Sequence, residues 1–208
     1  MPCYPNDIDS FFHHEKRGVR ATLFKHHMTQ RQVEGCIRVI EMCRDDFKLP
    51  LEQCAYILAT SYHETVMRMH PVREALGRTD GETKRRLESA FRAGKLRYVK
   101  TPYWREGWYG RGEIQLTHKY NYVRMNKFVK PDIVENPDKV IEDPRLSTFI
   151  MIKGMVDGLF TKHKLADFYI EGSFDSYGAR RIVNPHDINS FRIIQEVYNQ
   201  FYSALLAP

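Results

Sequence analysis

Apolar residues recur at helical spacing in two neighbouring segments of the first third of the chain. Thr29 and Gln32 form a capping-box pattern, which predicts a helix start because each side chain can bind a free backbone N–H. The apolar positions that follow predict a helix to about Asp46, and they are Val33, Cys36, Ile37, Ile40 and Cys43. Pro50 opens a second predicted helix, with an inward stripe of Leu51, Cys54, Ile57, Leu58 and Ser61.

Two more helices are predicted in the second half of the chain. The pair Asp143-Pro144 combines a capping residue with a proline, and the apolar positions after it are Phe149, Ile150, Met155 and Phe160. A last helix is predicted to begin near Asp187, with an apolar face of Phe191, Ile194, Tyr198, Phe201 and Leu205. The proline-rich stretch KPDIVENPDKVIEDP before Asp143 reads as a connecting segment.

One stretch, YGRGEIQLTHKYNY at residues 109–122, alternates with a period of two instead. Gly110 and Gly112 permit a tight bend, and residues 112–118 are then predicted as a strand. Ile114 and Leu116 would face one side of it, and the other side would carry Glu113, Gln115 and Thr117. That polar row suits hydrogen bonding to sugar hydroxyls and N-acetyl groups, although the solvated face of an ordinary hairpin explains it equally well. The predicted fold is one mainly α domain over residues 1–208, helical in its first fifty residues, with a small inserted hairpin.

Composition and charge place the chain among ordinary globular proteins. It has 208 residues, 42% of them hydrophobic and 28% charged, with a formal net charge of +6. The positive balance suggests an acidic partner, such as an anionic cell wall, anionic lipid or nucleic acid. Between residues 78 and 102 the chain is strongly basic and predicts a short helix followed by a surface loop. A solvated helix face explains this better than a phosphate-binding site.

No apolar run approaches the roughly 20 residues of a membrane span, and the N-terminus lacks the pattern of a secretory signal. We therefore expect synthesis in the cytoplasm and no stable membrane association. The cysteines form no CxxC pair, and buried free thiols are the simplest interpretation of Cys3, Cys36, Cys43 and Cys54. His63, Glu64 and His70 depart from the zinc helix spacing, in which the two histidines lie four apart. No metal or organic cofactor is expected.

Two carboxylates follow the second predicted helix. Glu64 is seven residues after Ile57 and so continues the inward face, where burial favours the protonated form that a general acid requires. Glu74 follows beyond Pro71, which should end the helix and turn the chain back. Two carboxyl groups on either side of a bend can face one cleft, as glycosidic cleavage requires. A solvated helix-end glutamate is nevertheless the more common case.

Four blocks, SYHETVMRMHPVRE, YGRGEIQLTHKYNY, NPDKVIEDP and RRIVN, resemble the pattern of glycoside hydrolase family 19 in the family's order. The family includes chitinases and phage or bacterial endolysins, and this short basic chain is more similar to the endolysin-like branch. The resemblance covers about residues 55–202. It implies a lysozyme-like, mainly α fold with a small β-hairpin that lines a substrate cleft.

The resemblance also implies roles for individual residues. Glu64 would be the general acid, Glu74 the base that activates water, and Thr117 a hydroxyl that holds this water. The resemblance places substrate-binding positions at His63, Gln115, Asn121 and Asn184, and more loosely at Arg192. Further candidate substrate-binding residues of the second block are Tyr109, Glu113 and Tyr122. Glu64 should therefore face Gln115 and Thr117 across a shared groove.

Two departures from the family pattern leave the base open. Family members usually carry an apolar residue or proline where this chain has Glu113, so a third acidic group is expected in the cleft and could itself be the base. The interval from Glu64 to Glu74 is shorter than in the plant enzymes. Glu82 and Glu88 therefore remain alternative bases.

The predicted function is hydrolysis of β-1,4 bonds in peptidoglycan by an inverting mechanism. A chitinase acting on chitin oligomers is the first alternative, and a non-catalytic protein that binds the cell wall on the same scaffold is the second. The expected partner is a polysaccharide and not nucleic acid, and a monomer is expected. After synthesis in the cytoplasm, the protein would reach the wall when another protein releases it.

Overall fold

The computed structural model of the protein describes Tyr4 and residues 8–207. Its α-helices are α1 (Ile8–His13), α2 (Val19–Thr22), α3 (Gln30–Glu41), α4 (Leu51–Glu64), α5 (Asp80–Arg92), α6 (Lys119–Met125), α7 (Lys139–Glu142), α8 (Pro144–Val156) and α9 (Ile188–Leu205). The strands are β1 (Val72–Arg73), β2 (Arg111–Gly112), β3 (Tyr169–Ile170) and β4 (Ser173–Phe174). The mainly helical fold class is thus confirmed. Cys3 lies outside the described residues.

The core is organised around α4. Leu51 and residues 53–61 of this helix are all buried, which is typical of a helix at the centre of a fold. Helix α9 packs along it, and the ring of Tyr62 lies 6.0 Å from that of Phe201. Phe201 also stacks on Phe11 at 6.3 Å, so both ends of the chain contribute to the core. Glu64 is the last residue of this central helix, so its backbone is held by the best-packed element of the molecule.

The predicted helix starts are confirmed. Thr29 and Gln32 form the capping box, with the backbone N–H of Thr29 donating to Oε1 of Gln32 at 2.7 Å. A π-helical segment, Met42–Asp46, continues α3 to the predicted end. Helix α4 begins directly after Pro50, α9 directly after Asp187, and the Asp143 carboxylate accepts hydrogen bonds from the first turn of α8.

The predicted strand over residues 112–118 is wrong. Strand β2 ends at Gly112, and the backbones of Arg111 and Leu116 bind each other in both directions, which closes a tight turn. Gln115 and His118 have left-handed backbones, with φ of 52° and 68°, so the side chains cannot alternate as in a strand. The chain then enters α6, which makes Tyr120 helical.

The two sheets also differ from the single predicted hairpin. Strands β1 and β2 pair antiparallel, Val72 with Gly112 and Arg73 with Arg111, although they lie far apart in the chain. This pairing brings the segment after Glu64 alongside residues 109–118. A true hairpin, which was not predicted, joins β3 to β4, with Tyr169 opposite Phe174.

The basic region contains α5 and then irregular structure, as predicted. It packs on the rest of the molecule through a small second cluster of Leu87, Trp104 and Tyr109. Cys36, Cys43 and Cys54 are buried free thiols, and burial raises the pKa of Cys43. Among the described residues, no helix combines the length and apolar character needed to span a bilayer.

Candidate active site

A cleft of about 540 Å³ lies between the C-terminal end of α4 and the turn after β2. Glu64 forms part of its lining together with Gln115 and Thr117, so these three residues face one groove as expected. The other lining residues are Tyr103, Ile114, Leu116, His118, Tyr120, Asn121, Phe160, Thr161, Val183, Asn184, Pro185 and His186. The cleft thus combines a carboxylate with amide, hydroxyl and aromatic groups from distant parts of the chain.

Glu64 is bound by a buried arginine. Nη1 of Arg180 donates to Oε1 of Glu64 at 2.7 Å, and the Arg180 residue is only 2% exposed. The same guanidinium donates to Asp187 at 3.2 Å and to the Ser190 hydroxyl at 2.9 Å. Buried guanidinium groups need several partners, and here all three donor nitrogens have one. The expectation that Glu64 emerges into apolar surroundings is therefore wrong, because tertiary structure supplies a cation.

The groups around this ion pair carry shifted pKa values. Burial raises the pKa of Asp187, but hydrogen bonds from Ser190 and Arg180 outweigh it and hold the pKa below its ordinary value. His63, half-buried beside Glu64, has its pKa lowered by burial and is therefore neutral near pH 7. His63 is not a lining residue of the cleft, so its expected contact with substrate is not supported by its position.

Glu74 lies beside the cleft, where it is bound from two sides. Its Oε1 accepts a hydrogen bond from the Tyr103 hydroxyl at 2.7 Å, and its Oε2 accepts one from the Gly110 backbone N–H at the same distance. Glu74 does not line the cleft itself, whereas Tyr103 does. Burial and the Glu74 charge raise the pKa of Tyr103, which keeps the phenol protonated and able to donate. Tyr103 thus connects Glu74 to the cleft.

Gln115, Thr117 and Asn121 form a polar wall opposite Glu64. Hydrogen bonds to nearby backbone carbonyls hold their side chains in place. The Gln115 amide donates to the carbonyls of Val72 and Gly112, both at 3.1 Å, and the Thr117 hydroxyl donates to the Gln115 carbonyl at 2.7 Å. Nδ2 of Asn121 donates to the Thr117 carbonyl at 2.8 Å. Oδ1 of Asn121 is buried without a hydrogen-bond partner in the protein. Since the side-chain donors of Gln115 and Thr117 are occupied, these two residues offer acceptor oxygens to a ligand.

The glycines of the GRG sequence are explained by this packing. A Cβ on Gly110 would lie 2.8 Å from Oε1 of Gln115 and 3.1 Å from Oγ1 of Thr117. Gly112 has φ of 84°, and a Cβ there would lie 2.8 Å from the Ser147 hydroxyl. Glycine is therefore needed at both positions, at the first for space and at the second for backbone conformation as well.

Left-handed backbone conformations concentrate around the site. Gln115 and His118 line the cleft and have positive φ, and five more such residues follow Glu64 or Glu74 within five positions, namely Val66, Met67, Met69, Ala75 and Leu76. Val66, with φ of 50°, is a clear outlier because its branched side chain disfavours this conformation. Such strain costs about 1–3 kcal/mol per residue and persists only where the surrounding fold imposes it.

Glu113 does not enter the cleft, which corrects the expectation of a third acidic group there. The residue is 0% exposed, and its carboxylate accepts hydrogen bonds from Arg38 at 3.1 Å, from Ser61 at 3.3 Å and from Thr148. Burial raises the pKa of Glu113, and Arg38 opposes that rise. The tight turn after Gly112 directs this side chain toward α3 and α8, so Glu113 is a structural residue of the core.

Three other predicted contacts are also absent from the cleft. Tyr109 and Tyr122 are fully buried, and the Arg111 guanidinium lies 3.8 Å from the Tyr109 ring centroid. The side chain of Arg192 is largely exposed on α9 and pairs with Glu196 one turn away. These positions do not support roles in substrate binding.

The alternative bases Glu82 and Glu88 lie on α5, outside the cleft. Glu82 accepts a hydrogen bond from Arg86 at 2.6 Å, and Glu88 accepts from Arg105, Trp104 and Arg92. Hydrogen bonds from Arg105 and Trp104 are the main reason that the pKa of Glu88 falls to about 2. A carboxylate held by three donors away from Glu64 is a poor candidate for a catalytic base.

Arg180 and Tyr103 belong to the site but were not predicted from the sequence. Arg180 lies within the RRIVN block, but nothing in the local pattern distinguishes it from the neighbouring Arg181, which is exposed. Tyr103 belongs to the irregular segment after α5, where no periodicity predicts burial. Within the described residues, no group of three His, Cys, Asp or Glu side chains is arranged to hold a metal ion.

The fold and the cleft define a mainly helical protein in which a helix-end carboxylate faces an amide- and hydroxyl-bearing turn. The family model of glycoside hydrolase family 19, described as chitinase class I, matches residues 96–156. This match includes Tyr103, Gln115, Thr117 and Asn121, whereas Glu64, Glu74 and Arg180 lie outside it. The resemblance of the chain to this family is confirmed.

Individual relatives align over short segments. An endochitinase of Pisum sativum is 48% identical over 40 residues, which are 19% of this chain and 12% of the relative. The acidic endochitinase pcht28 of Solanum chilense is 41% identical over 73 residues, 34% of this chain and 28% of the relative. Chitinase 11 of Oryza sativa subsp. japonica is 57% identical over 37 residues, 18% of this chain and 14% of the relative. The aligned part thus spans little more than a quarter of these relatives at most, and no solved structure matches the chain.

Proposed function

We propose that the protein is a glycoside hydrolase that cuts β-1,4 bonds in an N-acetylhexosamine polymer, with peptidoglycan as its substrate. The observation that carries the proposal is the shared cleft, in which Glu64 faces Gln115 and Thr117 while Tyr103 links the cleft to Glu74. Acid and base catalysis of glycosidic cleavage requires two carboxyl groups, and here Glu64 lies in the groove while Glu74 contacts it through Tyr103.

In the proposed reaction, Glu64 protonates the oxygen of the leaving sugar. The hydrogen bond from Arg180 holds one oxygen of the Glu64 carboxyl group, which fixes the direction of the other. A general acid gains rate from such positioning because its proton must point at the leaving atom. Arg180 is therefore a positioning residue that acts through Glu64.

Water attacks from the opposite face of the sugar, without a covalent intermediate. The hydroxyl proton of Thr117 is donated to the Gln115 carbonyl, so the Thr117 oxygen presents lone pairs that can accept a hydrogen bond from this water. Glu74 removes the proton through Tyr103, which lines the cleft and donates to Glu74. The product would have inverted anomeric configuration.

The polar wall is suited to N-acetylated sugars. Asn121 lines the cleft, and its Oδ1 has no hydrogen-bond partner but almost no exposed surface, so an acetamide N–H of the substrate would satisfy it only if the side chain turned toward the cleft. Leaving such an acceptor unsatisfied costs about 1–3 kcal/mol, so a sugar that supplies the donor is favoured over one that lacks it. An N-acetylhexosamine, which both peptidoglycan and chitin contain, is therefore the favoured sugar.

Net charge supports peptidoglycan, because the formal charge of +6 favours an anionic wall over a neutral polymer. Chitin is the second candidate, since the relatives named above are chitinases and endochitinases. A peptidoglycan hydrolase must act at the cell wall, so this function requires the protein to reach it.

The proposal is tested by incubating the protein with purified peptidoglycan and with chitin oligomers, and by measuring new reducing ends. Soluble wall fragments with new hexosamine termini, identified by mass spectrometry, are the expected result. Hydrolysis of chitin alone would contradict the peptidoglycan assignment and support the chitinase alternative. NMR of the first anomer released should show the α configuration.

A comparison of variants tests the alternative that the protein binds the cell wall without catalytic activity. Glu64→Gln should abolish hydrolysis while wall binding persists, and Glu82→Gln, the same chemical change outside the cleft, should leave the rate unchanged. Equal lytic activity in wild type and Glu64→Gln would remove Glu64 from the mechanism.

A further inference from the structure

A second groove, of about 470 Å³, continues from the candidate active site. Tyr103, His118 and Tyr120 line both cavities, so the two form one continuous surface. Tyr98, Lys100 and Lys119 lie in the part of the second groove that the cleft does not share. We call the whole second groove, including the three shared residues, the aromatic groove.

The aromatic groove contains tyrosine rings that are exposed to solvent and are not part of the hydrophobic core. Tyr98 is 98% exposed and Tyr120 is 59% exposed. The ring of Tyr120 stacks on that of His118 at 5.5 Å with an angle of 9° between the planes, which orients it. Large exposed aromatic residues in a concave surface usually mark a binding site, because hydration of their apolar faces is unfavourable. Flat rings with a polar edge match the apolar faces and hydroxyl rims of sugars.

The charges of the groove are predominantly positive. Lys100 and Lys119 line it together with one acidic residue, Glu106. Nζ of Lys119 lies 5.7 Å from the ring centroid of Trp108, a cation–π distance that keeps the ammonium over the groove. The third basic side chain, His118, has its pKa lowered by burial and adds no charge near pH 7. The surrounding segment, residues 78–106, carries nine Lys and Arg against four Asp and Glu.

We propose that the aromatic groove binds the glycan on one side of the bond to be cut, and that Lys100 and Lys119 recognise carboxylates carried by the peptide-bearing sugars of peptidoglycan. This inference rests on the proposed function and assigns its substrate class to particular residues. Tyr98 and Tyr120 contact the sugar rings of any β-1,4-linked N-acetylhexosamine chain. The two lysines distinguish an anionic chain from neutral chitin.

Binding is measured by calorimetry in the Glu64→Gln background, so that no turnover occurs. The probes are soluble peptidoglycan fragments with intact stem peptides and chitohexaose. Exposed charge pairs contribute modestly, so Lys100→Gln/Lys119→Gln should weaken binding of the peptidoglycan fragments by about 3- to 10-fold. The same variant should change chitohexaose binding less than twofold. Raising the salt concentration should reduce the difference between the two probes.

The control is Lys95→Gln, which removes one positive charge outside the aromatic groove and is compared with the single variants Lys100→Gln and Lys119→Gln. It should leave both affinities unchanged. An equal loss with Lys95→Gln, or an equal loss for both probes, would overturn the specific role of the two lysines. Tyr98→Ala should weaken binding of both probes about equally. Unchanged affinities in this variant would show that the Tyr98 ring does not contact the glycan.

Hydrolysis by the wild-type protein distinguishes failure of this inference from failure of the proposed function. If wild type cuts peptidoglycan and the lysine variants bind it normally, the groove assignment is wrong and the enzyme assignment stands. If wild type cuts chitin alone, both the peptidoglycan assignment and the lysine role are overturned.

Discussion

Nη1 of Arg180 donates a hydrogen bond to Oε1 of Glu64 at 2.7 Å, although 116 residues separate the two in the chain. The central helix supplies the carboxyl group, and a 3₁₀ turn before α9 supplies the cation. Asp187 and Ser190 in turn hold Arg180. The orientation of the proposed acid is therefore decided by the packing of α9 against α4.

Replacing Arg180 with lysine should lower kcat without a comparable change in KM. Lysine retains the charge but cannot bind Glu64, Asp187 and Ser190 at once, and misplacement of a catalytic group by about 1 Å can cost about 100-fold in rate. We expect kcat to fall about 10- to 100-fold and KM to stay within about threefold. Arg180→Met should lose more activity than the lysine variant, and equal kcat in wild type and Arg180→Lys would exclude the positioning role.

Glu74→Gln and Tyr103→Phe should impair the reaction to similar extents. Tyr103 is the residue that joins Glu74 to the cleft, so loss of its hydroxyl interrupts the proposed proton path. General base catalysis typically contributes about 10²–10⁴-fold, which sets the expected loss in kcat. Full activity of Tyr103→Phe with an inactive Glu74→Gln would show that Glu74 reaches water directly. Circular dichroism of both variants provides the folding control.

Gly110→Ala should reduce kcat/KM by at least about tenfold. The new methyl group would lie 2.8 Å from Oε1 of Gln115 and 3.1 Å from Oγ1 of Thr117, so the proposed water-binding wall must shift. Gly81→Ala is the matched control, because its Cβ would have only Arg85 Nη1 nearby, at 3.6 Å. This control should keep full activity and should not lower the free energy of unfolding, because Gly81 has a helical backbone with room for a methyl group. Equal activities of the two variants would contradict the role of Gly110.

Glu113→Ala should destabilise the fold. The substitution leaves Arg38 without its buried carboxylate, and breaking a buried ion pair by removing one partner typically costs about 3–5 kcal/mol. Urea unfolding measures the loss, and Glu113→Gln should lose less because the amide oxygen can still accept hydrogen bonds. Folded Glu113→Gln should retain activity. An inactive variant of unchanged stability would instead make Glu113 the catalytic base.

Glu88 should contribute stability that disappears in acid. Its folded pKa is about 2, below the ordinary carboxyl value of about 4.3, so the folded state favours the ionised form. The contribution is therefore present above about pH 4.3 and is lost as the pH falls toward 2. The melting temperature of Glu88→Gln should be lower than wild type at pH 6 and approach it near pH 2–3. A constant difference across that range would rule out the linkage, and activity at pH 6 should be unchanged.

The local sequence pattern was sufficient to predict where the main helices begin. Thr29 with Gln32, and Asp143 with Pro144, are capping signals that act within one turn, so their outcome does not depend on the rest of the fold. The same holds for the apolar stripe of α9. These elements, the mainly helical class and the candidacy of Glu64, Gln115 and Thr117 could be read from the chain.

Tertiary structure decided the stretch at residues 109–118 and the electrostatics of the site. Alternation of Ile114 and Leu116 predicts a strand, but a turn that buries both residues satisfies the same pattern. Glu113 carries a charged side chain, for which the sequence predicts exposure. It is buried because Arg38 of α3, Ser61 of α4 and Thr148 of α8 bind its carboxylate. Arg180 likewise meets Glu64 only because α9 packs on α4. Hydrophobic periodicity predicts which apolar residues are buried. A buried charge depends instead on partners from distant parts of the chain, and no local sequence pattern specifies these partners.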